Sequence, residues 1–280
     1  MSNWFEVLGA KEFSPQWEEI LNQRLPIYRL LPEADRQELK SYIRWFIGSK
    51  EFEGCGGLVI TDEIRVTVAA QACLLLLRRE TPCYQKLRLI RIYPGNCFPI
   101  SSVHTALGES WQHGVVLLAW DSVRGGAANS FDGENVVLHE FAHQLDQEDG
   151  QTDGIPLVGR GRTPADAAGA YTAWARMLSE EYEEFRLAVE HGGKTVMDSY
   201  GARNPAEFFA VATECFFEKP KQMCKRYPQL YAGLRQFYNQ DPATWADLAT
   251  GTNQTLEPTA AAIGSQKNSD VESGGTRGSS

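Results

Sequence analysis

Two histidines four residues apart, with a glutamate directly after the first, carry the most specific chemistry in the chain. The stretch Asn135-Val136-Val137-Leu138-His139-Glu140-Phe141-Ala142-His143-Gln144-Leu145-Asp146 places a His-Glu-x-x-His pattern inside an apolar run. On a helix of about 3.6 residues per turn, side chains four apart sit about 40° from one another on one face. His139 and His143 therefore offer two imidazole nitrogens to a single ion. Glu140 lies beside them, placed to reach a water on that ion without ligating it. Two neutral imidazoles with a carboxylate as general base are the equipment of a zinc hydrolase. The pattern is short, and its rival is a pair of satisfied core histidines. The surroundings favour the metal: Val136, Val137, Leu138, Phe141, Ala142 and Leu145 are apolar around most of the helix and predict its burial. Buried ionisable groups need a compensating partner.

A catalytic zinc takes a third protein ligand and keeps one position open. No third histidine follows at metzincin spacing, because position 146 is Asp and positions 149 and 150 are Asp and Gly. The other common solution is a glutamate on a later helix. Asn204-Pro205-Ala206-Glu207-Phe208-Phe209-Ala210-Val211-Ala212-Thr213-Glu214-Cys215-Phe216-Phe217 fits that need. Asn204 is an N-cap, Pro205 takes the first helical position, and two acids sit in an otherwise apolar helix. Glu207 and Glu214 are two turns apart and share a face. We assign Glu207 as the third ligand, against the alternative of a first-turn acid favoured by the helix dipole. Glu214 is the weaker assignment, an acceptor for the outer N–H of a ligand histidine. Asp146 either orients an imidazole or ends the helix, with the structural reading slightly preferred. Tyr200 either donates to an oxyanion near the metal or packs at the helix entry. His104, His113 and His191 lie in polar or loop-like surroundings and are read as surface residues.

The elements that must position these groups follow from periodicity. Residues 14–48 read as two or three helical pieces, with Ser14-Pro15 opening the first and Pro32 restarting the chain. Residues 51–57 form a short extended or turn segment punctuated by Gly54, Gly56 and Gly57. Thr61 caps a second buried helix, rich in small residues, that runs to about Leu77 and packs against the His139 helix. Leu87–Tyr93 reads as a strand. The continuous apolar run from Gly114 to Trp120 reads as another, buried on both faces. A glycine-rich loop spans 150–161, and a long helix with an aromatic stripe runs from Ala165 to Val189. The fold class is α+β, mostly helical with a small mixed β-sheet beside the active-site helix. Residues 1–250 form a single domain with N-terminal helices, and 251–280 read by composition as a disordered tail.

Composition narrows the function classes. With 280 residues, 42% hydrophobic and 22% charged, the chain reads as a soluble globular protein. A net charge of −9 and the lack of any basic stripe argue against nucleic-acid binding. Cys73-Leu74-Leu75-Leu76-Leu77 stops at Arg78-Arg79, far short of a membrane span. The six cysteines form no C-x-x-C pair, and the N-terminus lacks a signal-peptide pattern, so a cytoplasmic location is expected.

The chain resembles the Mlc titration factor A family of bacterial zinc peptidases. The resemblance rests on Gly108-Glu109-Ser110-Trp111, Gly114 to Trp120, Asn135 to Asp146, and Asp198-Ser199-Tyr200 through Pro205 to Val211. It implies a gluzincin-type zincin fold related to the anthrax lethal factor catalytic core. It further implies one zinc on His139, His143 and Glu207, Glu140 as base, and Tyr200 facing the metal. Aminopeptidase-like activity on a peptide or protein substrate is implied as well. The founding member binds the glucose repressor Mlc, so a transcriptional repressor is an implied partner and a link to glucose uptake an implied role. The rival reading is a regulatory protein that sequesters a repressor and keeps zinc for structure, although a structural site has no use for Glu140. A hydrolase acting on a non-peptide amide is a third reading.

Overall fold

The computed structural model describes residues 13–79, 84–95, 114–158 and 164–245. The C-terminal tail, Cys83, Cys97, His104, His113 and the Gly108–Trp111 stretch lie outside these residues.

Prolines divide residues 15–49 into three helices: α1 (Pro15–Arg24), α2 (Pro26–Leu30) and α3 (Glu33–Ser49). Pro15 and Pro26 each occupy a first-turn position, where the missing N–H costs nothing. Strand β1 (Glu51–Gly54) leads into α4 (Asp62–Leu74), whose N-cap Thr61 accepts the Ile64 N–H. The helix stops at Leu74, with Leu75 to Arg78 in turns rather than continuing to Leu77. Trp17 Nε1 donates to Asp62 Oδ2 at 3.0 Å and ties α1 to the start of α4.

Strands β2 (Leu89–Tyr93) and β3 (Val115–Ala119) complete a three-stranded sheet of order β1-β2-β3. Both pairings are parallel, with Glu51 opposite Leu89 and Leu89 opposite Val115. The described sheet is therefore parallel and not mixed. The connection from β1 to β2 carries α4 back across the sheet, and long crossovers of this kind return a strand in the same direction. The expectation of a strand buried on both faces is also corrected. Val116 and Leu118 are buried while Val115, Leu117 and Ala119 are half-buried, and Trp120 already begins α5 (Trp120–Ala128). The alternation means that the face carrying Val116 and Leu118 is the covered one, and among the described residues β3 lies at a sheet edge.

Helix α6 (Val136–Asp146) carries the two histidines and packs on α4, α5 and β3. Phe141 anchors its inner face, with ring centroids 5.6 Å from Phe46 and 5.0 Å from Tyr84. The long helix α7 (Pro164–Glu190) buries Trp174, Leu178 and Phe185, and leaves the remainder of its expected aromatic stripe half-buried. A single-turn 3₁₀ segment (Ser199–Ala202) then feeds α8 (Pro205–Glu218), followed by α9 (Pro220–Arg226) and α10 (Pro228–Tyr238). Every residue of α8 from Ala206 to Glu218 is buried, with Phe208, Phe209, Phe216 and Phe217 supplying the bulk. None of the helices among the described residues is long and apolar enough to cross a membrane.

Candidate metal centre

The site forms where two largely buried helices, α6 and α8, lie against one another. Each begins on an asparagine. Asn135 Oδ1 accepts the Val137 and Leu138 N–H groups at 3.1 Å each. Asn204 Oδ1 accepts the Glu207 N–H at 2.9 Å. These caps satisfy donors that the first turn of a helix leaves open, and they fix where each helix starts. Glu207 consequently sits in the first turn of α8 with its side chain facing α6.

Three donor atoms converge. His139 Nε2 lies 3.0 Å from Glu207 Oε2, His143 Nε2 lies 3.3 Å from the same oxygen, and the two Nε2 atoms are 3.2 Å apart. His139, His143 and Glu207 are thus a buried group able to hold a metal ion. The fit can be tested from bond lengths. Metal–nitrogen and metal–oxygen bonds of about 2.0–2.1 Å at a tetrahedral centre separate neighbouring ligands by about 3.3 Å, close to the three observed spacings. Lone-pair chemistry agrees. Glu214 Oε1 lies 2.7 Å from His139 Nδ1 and takes its N–H, which leaves Nε2 of the neutral ring as an acceptor. That acceptor then faces a carboxylate oxygen and a second imidazole nitrogen, a contact made favourable by positive charge among them, either a metal cation or a proton on Nε2.

The local charges point the same way. Burial opposes protonation of His139, but the Glu214 carboxylate and the hydrogen bonds to Glu207 and Glu214 outweigh it and lift the imidazole to about 10. Burial pushes Glu207 up, yet its bonds to His139 and His143 prevail and hold the carboxyl well below the usual range. The pocket thus favours positive charge at its centre. Glu140, the residue after His139, is fully buried and its carboxylate adds to the field that raises His139.

Tyr200, in the turn before α8, brings its hydroxyl 3.3 Å from Glu207 Oε1, the oxygen that faces away from the imidazoles. Arg203 donates to the same hydroxyl at 3.1 Å, and its guanidinium lies 5.5 Å from the ring centroid. Asp146 is placed differently. Its Oδ2 accepts the Gly154 N–H at 3.0 Å, so it closes the loop after α6. Gly154 adopts φ +76° and lies so close to Pro205 that a Cβ would sit 2.2 Å from the proline carbonyl. Asp146 therefore pins the loop that abuts the start of α8. His191 is exposed and bonds the Leu187 carbonyl of its own helix, away from the metal group.

Sequence reasoning passed over Arg203, Gly154 and a buried cluster of Gln71, Asn135 and Glu218. Glu218 was the most discoverable of them, since it follows Glu214 by one helical turn on the same face.

A buried His-His-Glu group presented by two packed helices, with a glutamate directly after the first histidine, defines a metallopeptidase-like protein. The model of the glucose-regulated metallo-peptidase M90 family matches residues 3–239, and the chain belongs to that family. It is 39% identical over 248 residues to the uncharacterized protein slr2042 of Synechocystis sp., covering 84% of this chain and 87% of that one. It is 29% identical over 247 residues to Mlc titration factor A of Yersinia pestis, covering 82% of this chain and 86% of the relative. The same identity holds for Mlc titration factor A of Yersinia pseudotuberculosis.

Proposed function

We propose that the chain is a zinc-dependent metallopeptidase of the zincin type, acting on peptides in the manner of an aminopeptidase. The observation that carries this reading is the convergence of His139 Nε2, His143 Nε2 and Glu207 Oε2 within 3.3 Å of one another. Two imidazoles and one carboxylate are the donor set of a zinc site with a position left for substrate chemistry. When bound, the ion supplies Lewis-acid polarisation of the scissile carbonyl and lowers the pKa of the attacking water.

The chain's own residues do the rest. His139, His143 and Glu207 hold the ion, and Glu214 keeps His139 in the tautomer that presents Nε2. Glu140 takes the proton of the attacking water and returns it to the leaving amine. The Tyr200 hydroxyl, beside Glu207, donates to the oxygen that gains negative charge as the carbonyl becomes tetrahedral. Among the described residues β3 lies at the sheet edge, and that edge would give an extended substrate a row of backbone groups to pair with.

The test is zinc content and peptide hydrolysis of the wild type beside His143→Ala, Glu207→Ala and Glu140→Gln. One zinc per chain is expected, lost in the first two variants. It should stay in Glu140→Gln with hydrolysis reduced by about 10²–10⁴-fold. A Glu140→Gln protein that binds zinc and cleaves at the wild-type rate removes the base assignment. A second reading, capture of a repressor-like partner, is supported by the name Mlc titration factor A carried by the Yersinia relatives. It predicts partner binding that Glu140→Gln leaves intact.

A further inference from the structure

Behind the metal group lies a polar cluster that the proposed chemistry does not use. Asn135 stands at its centre and is buried. Its side chain fills all four of its hydrogen-bonding positions. Oδ1 accepts from Val137 and Leu138, and Nδ2 donates to Gln71 Oε1 of α4 at 2.8 Å and to Glu218 Oε1 of α8 at 2.9 Å. Glu218 Oε2 accepts the Gly133 N–H at 3.0 Å, so this carboxylate holds the chain on both sides of Glu134. Gln71 is fixed in turn by donating to the Thr67 carbonyl at 3.0 Å.

The backbone of Asn135 completes the connection to the site. Its carbonyl accepts the His139 N–H at 2.9 Å, and its N–H donates to Glu214 Oε2. In a capping box that N–H is taken by a Glu or Gln at the third helical position of the same helix. Here the third position is Leu138, and Glu214 supplies the acceptor from α8. One carboxylate therefore satisfies the start of α6 with one oxygen and the Nδ1 of His139 with the other.

We propose that Asn135 and Glu218 are positioning residues for the metal centre, holding Glu214 and, through it, the Nε2 of His139 in ligating geometry. The inference rests on the metal reading above and extends it one step outward from Glu214. A capping residue alone needs only an acceptor, and Ser, Thr or Asp would serve. Only an amide both caps the helix and donates twice to acceptors on two other helices.

That difference supplies the test. Asn135→Asp keeps the acceptor for Val137 and Leu138 but loses both donations. Glu218→Gln, similar in size, loses one acceptor and serves as the second variant should the first fail to fold. Zinc affinity is measured by competition with a chromophoric chelator, alongside the visible absorption of the cobalt-substituted protein and thermal unfolding of the metal-free chain. The expected result is zinc binding weaker by about tenfold or more and an altered cobalt spectrum. The metal-free unfolding midpoint is expected to fall in Asn135→Asp, which turns a buried donor into an acceptor facing Glu218, and to fall less in Glu218→Gln, so zinc affinity is compared on the folded proteins. Zinc affinity within about twofold of wild type and an unchanged cobalt spectrum in the folded variants would overturn the inference while leaving the metal reading in place. A wild type that takes up neither zinc nor cobalt would remove both.

Discussion

Glu214 Oε1 lies 2.7 Å from Nδ1 of His139, and the same helix places Glu207 Oε2 3.0 Å from Nε2 of that ring. Two acids seven residues apart on α8 thus grip both nitrogens of one imidazole. Seven residues of helix span about 10 Å, enough to reach both edges of a five-membered ring lying across it. The tautomer of His139 and the direction of its remaining lone pair follow from this arrangement.

The first prediction tests that grip. Glu214→Gln keeps an acceptor oxygen but removes the charge, and Glu214→Ala removes both. Zinc affinity should fall in both, by about 10–100-fold in the alanine variant and less in the glutamine. The order is read by chelator competition, and equal affinity in all three proteins would show that Glu214 does not orient the ligand.

Tyr200→Phe deletes a hydroxyl that stands 3.3 Å from Glu207 Oε1 without changing the packing of the ring. Under the peptidase reading, kcat should drop by about 10²-fold while KM and zinc stoichiometry stay near wild type. Steady-state kinetics on a chromogenic peptide separates these quantities. Loss of zinc in step with activity would assign the phenol to holding the site together instead.

Asp146 gives a pH prediction. Burial is the main cause of its raised pKa, and the Gly154 N–H opposes it, leaving the carboxyl at about 7. The folded chain then binds a proton that the unfolded chain has released, between the ordinary aspartate value near 4 and about 7. Its contribution is most favourable below that window and is lost as pH rises through it, with a slope of at most about 1.4 kcal/mol per pH unit. Asp146→Asn keeps an acceptor for Gly154 and carries no charge. Its stability relative to wild type should increase from pH 4 to 7, measured by denaturant unfolding, and a constant difference across that range would contradict the assignment.

Gly154→Ala should be destabilising by more than about 1 kcal/mol. The position combines φ +76° with a Cβ only 2.2 Å from the Pro205 carbonyl, and neither backbone can yield without shifting the first turn of α8. Because Glu207 sits in that turn, zinc affinity should weaken together with the unfolding midpoint. An alanine variant as stable as wild type would show that the loop moves freely.

Much of the site's layout was legible because it is local. The pairing of His139 with His143 depends only on helical spacing, and the aligned faces of Glu207 and Glu214 depend only on the same period. Asn204 and Pro205 announced the start of α8 through their own backbone preferences. Trp120 and the sheet direction were misread for a common reason. An apolar run such as Val115 to Trp120 suits a strand or a buried helix equally, and strand polarity is decided by where the chain crosses over. Asn135 lay within the most conspicuous stretch of the chain, but no local pattern told that its amide would meet Gln71 and Glu218 from two other helices.

By itself the sequence determined that one buried helix would present two imidazoles and a carboxylate, and that a later apolar helix would carry two acids on one face. Helical periodicity and the cost of burying charge are sufficient for that. Only the tertiary structure decided that α8 lies against α6 with Glu207 and Glu214 on opposite edges of His139. It also decided that Asp146 accepts the Gly154 N–H of the following loop, and that Asn135 joins three helices. Those outcomes depend on helix docking, which is set by contacts between residues far apart in the chain, such as the 75 positions separating Glu214 from His139. Such contacts have no signature in either segment alone.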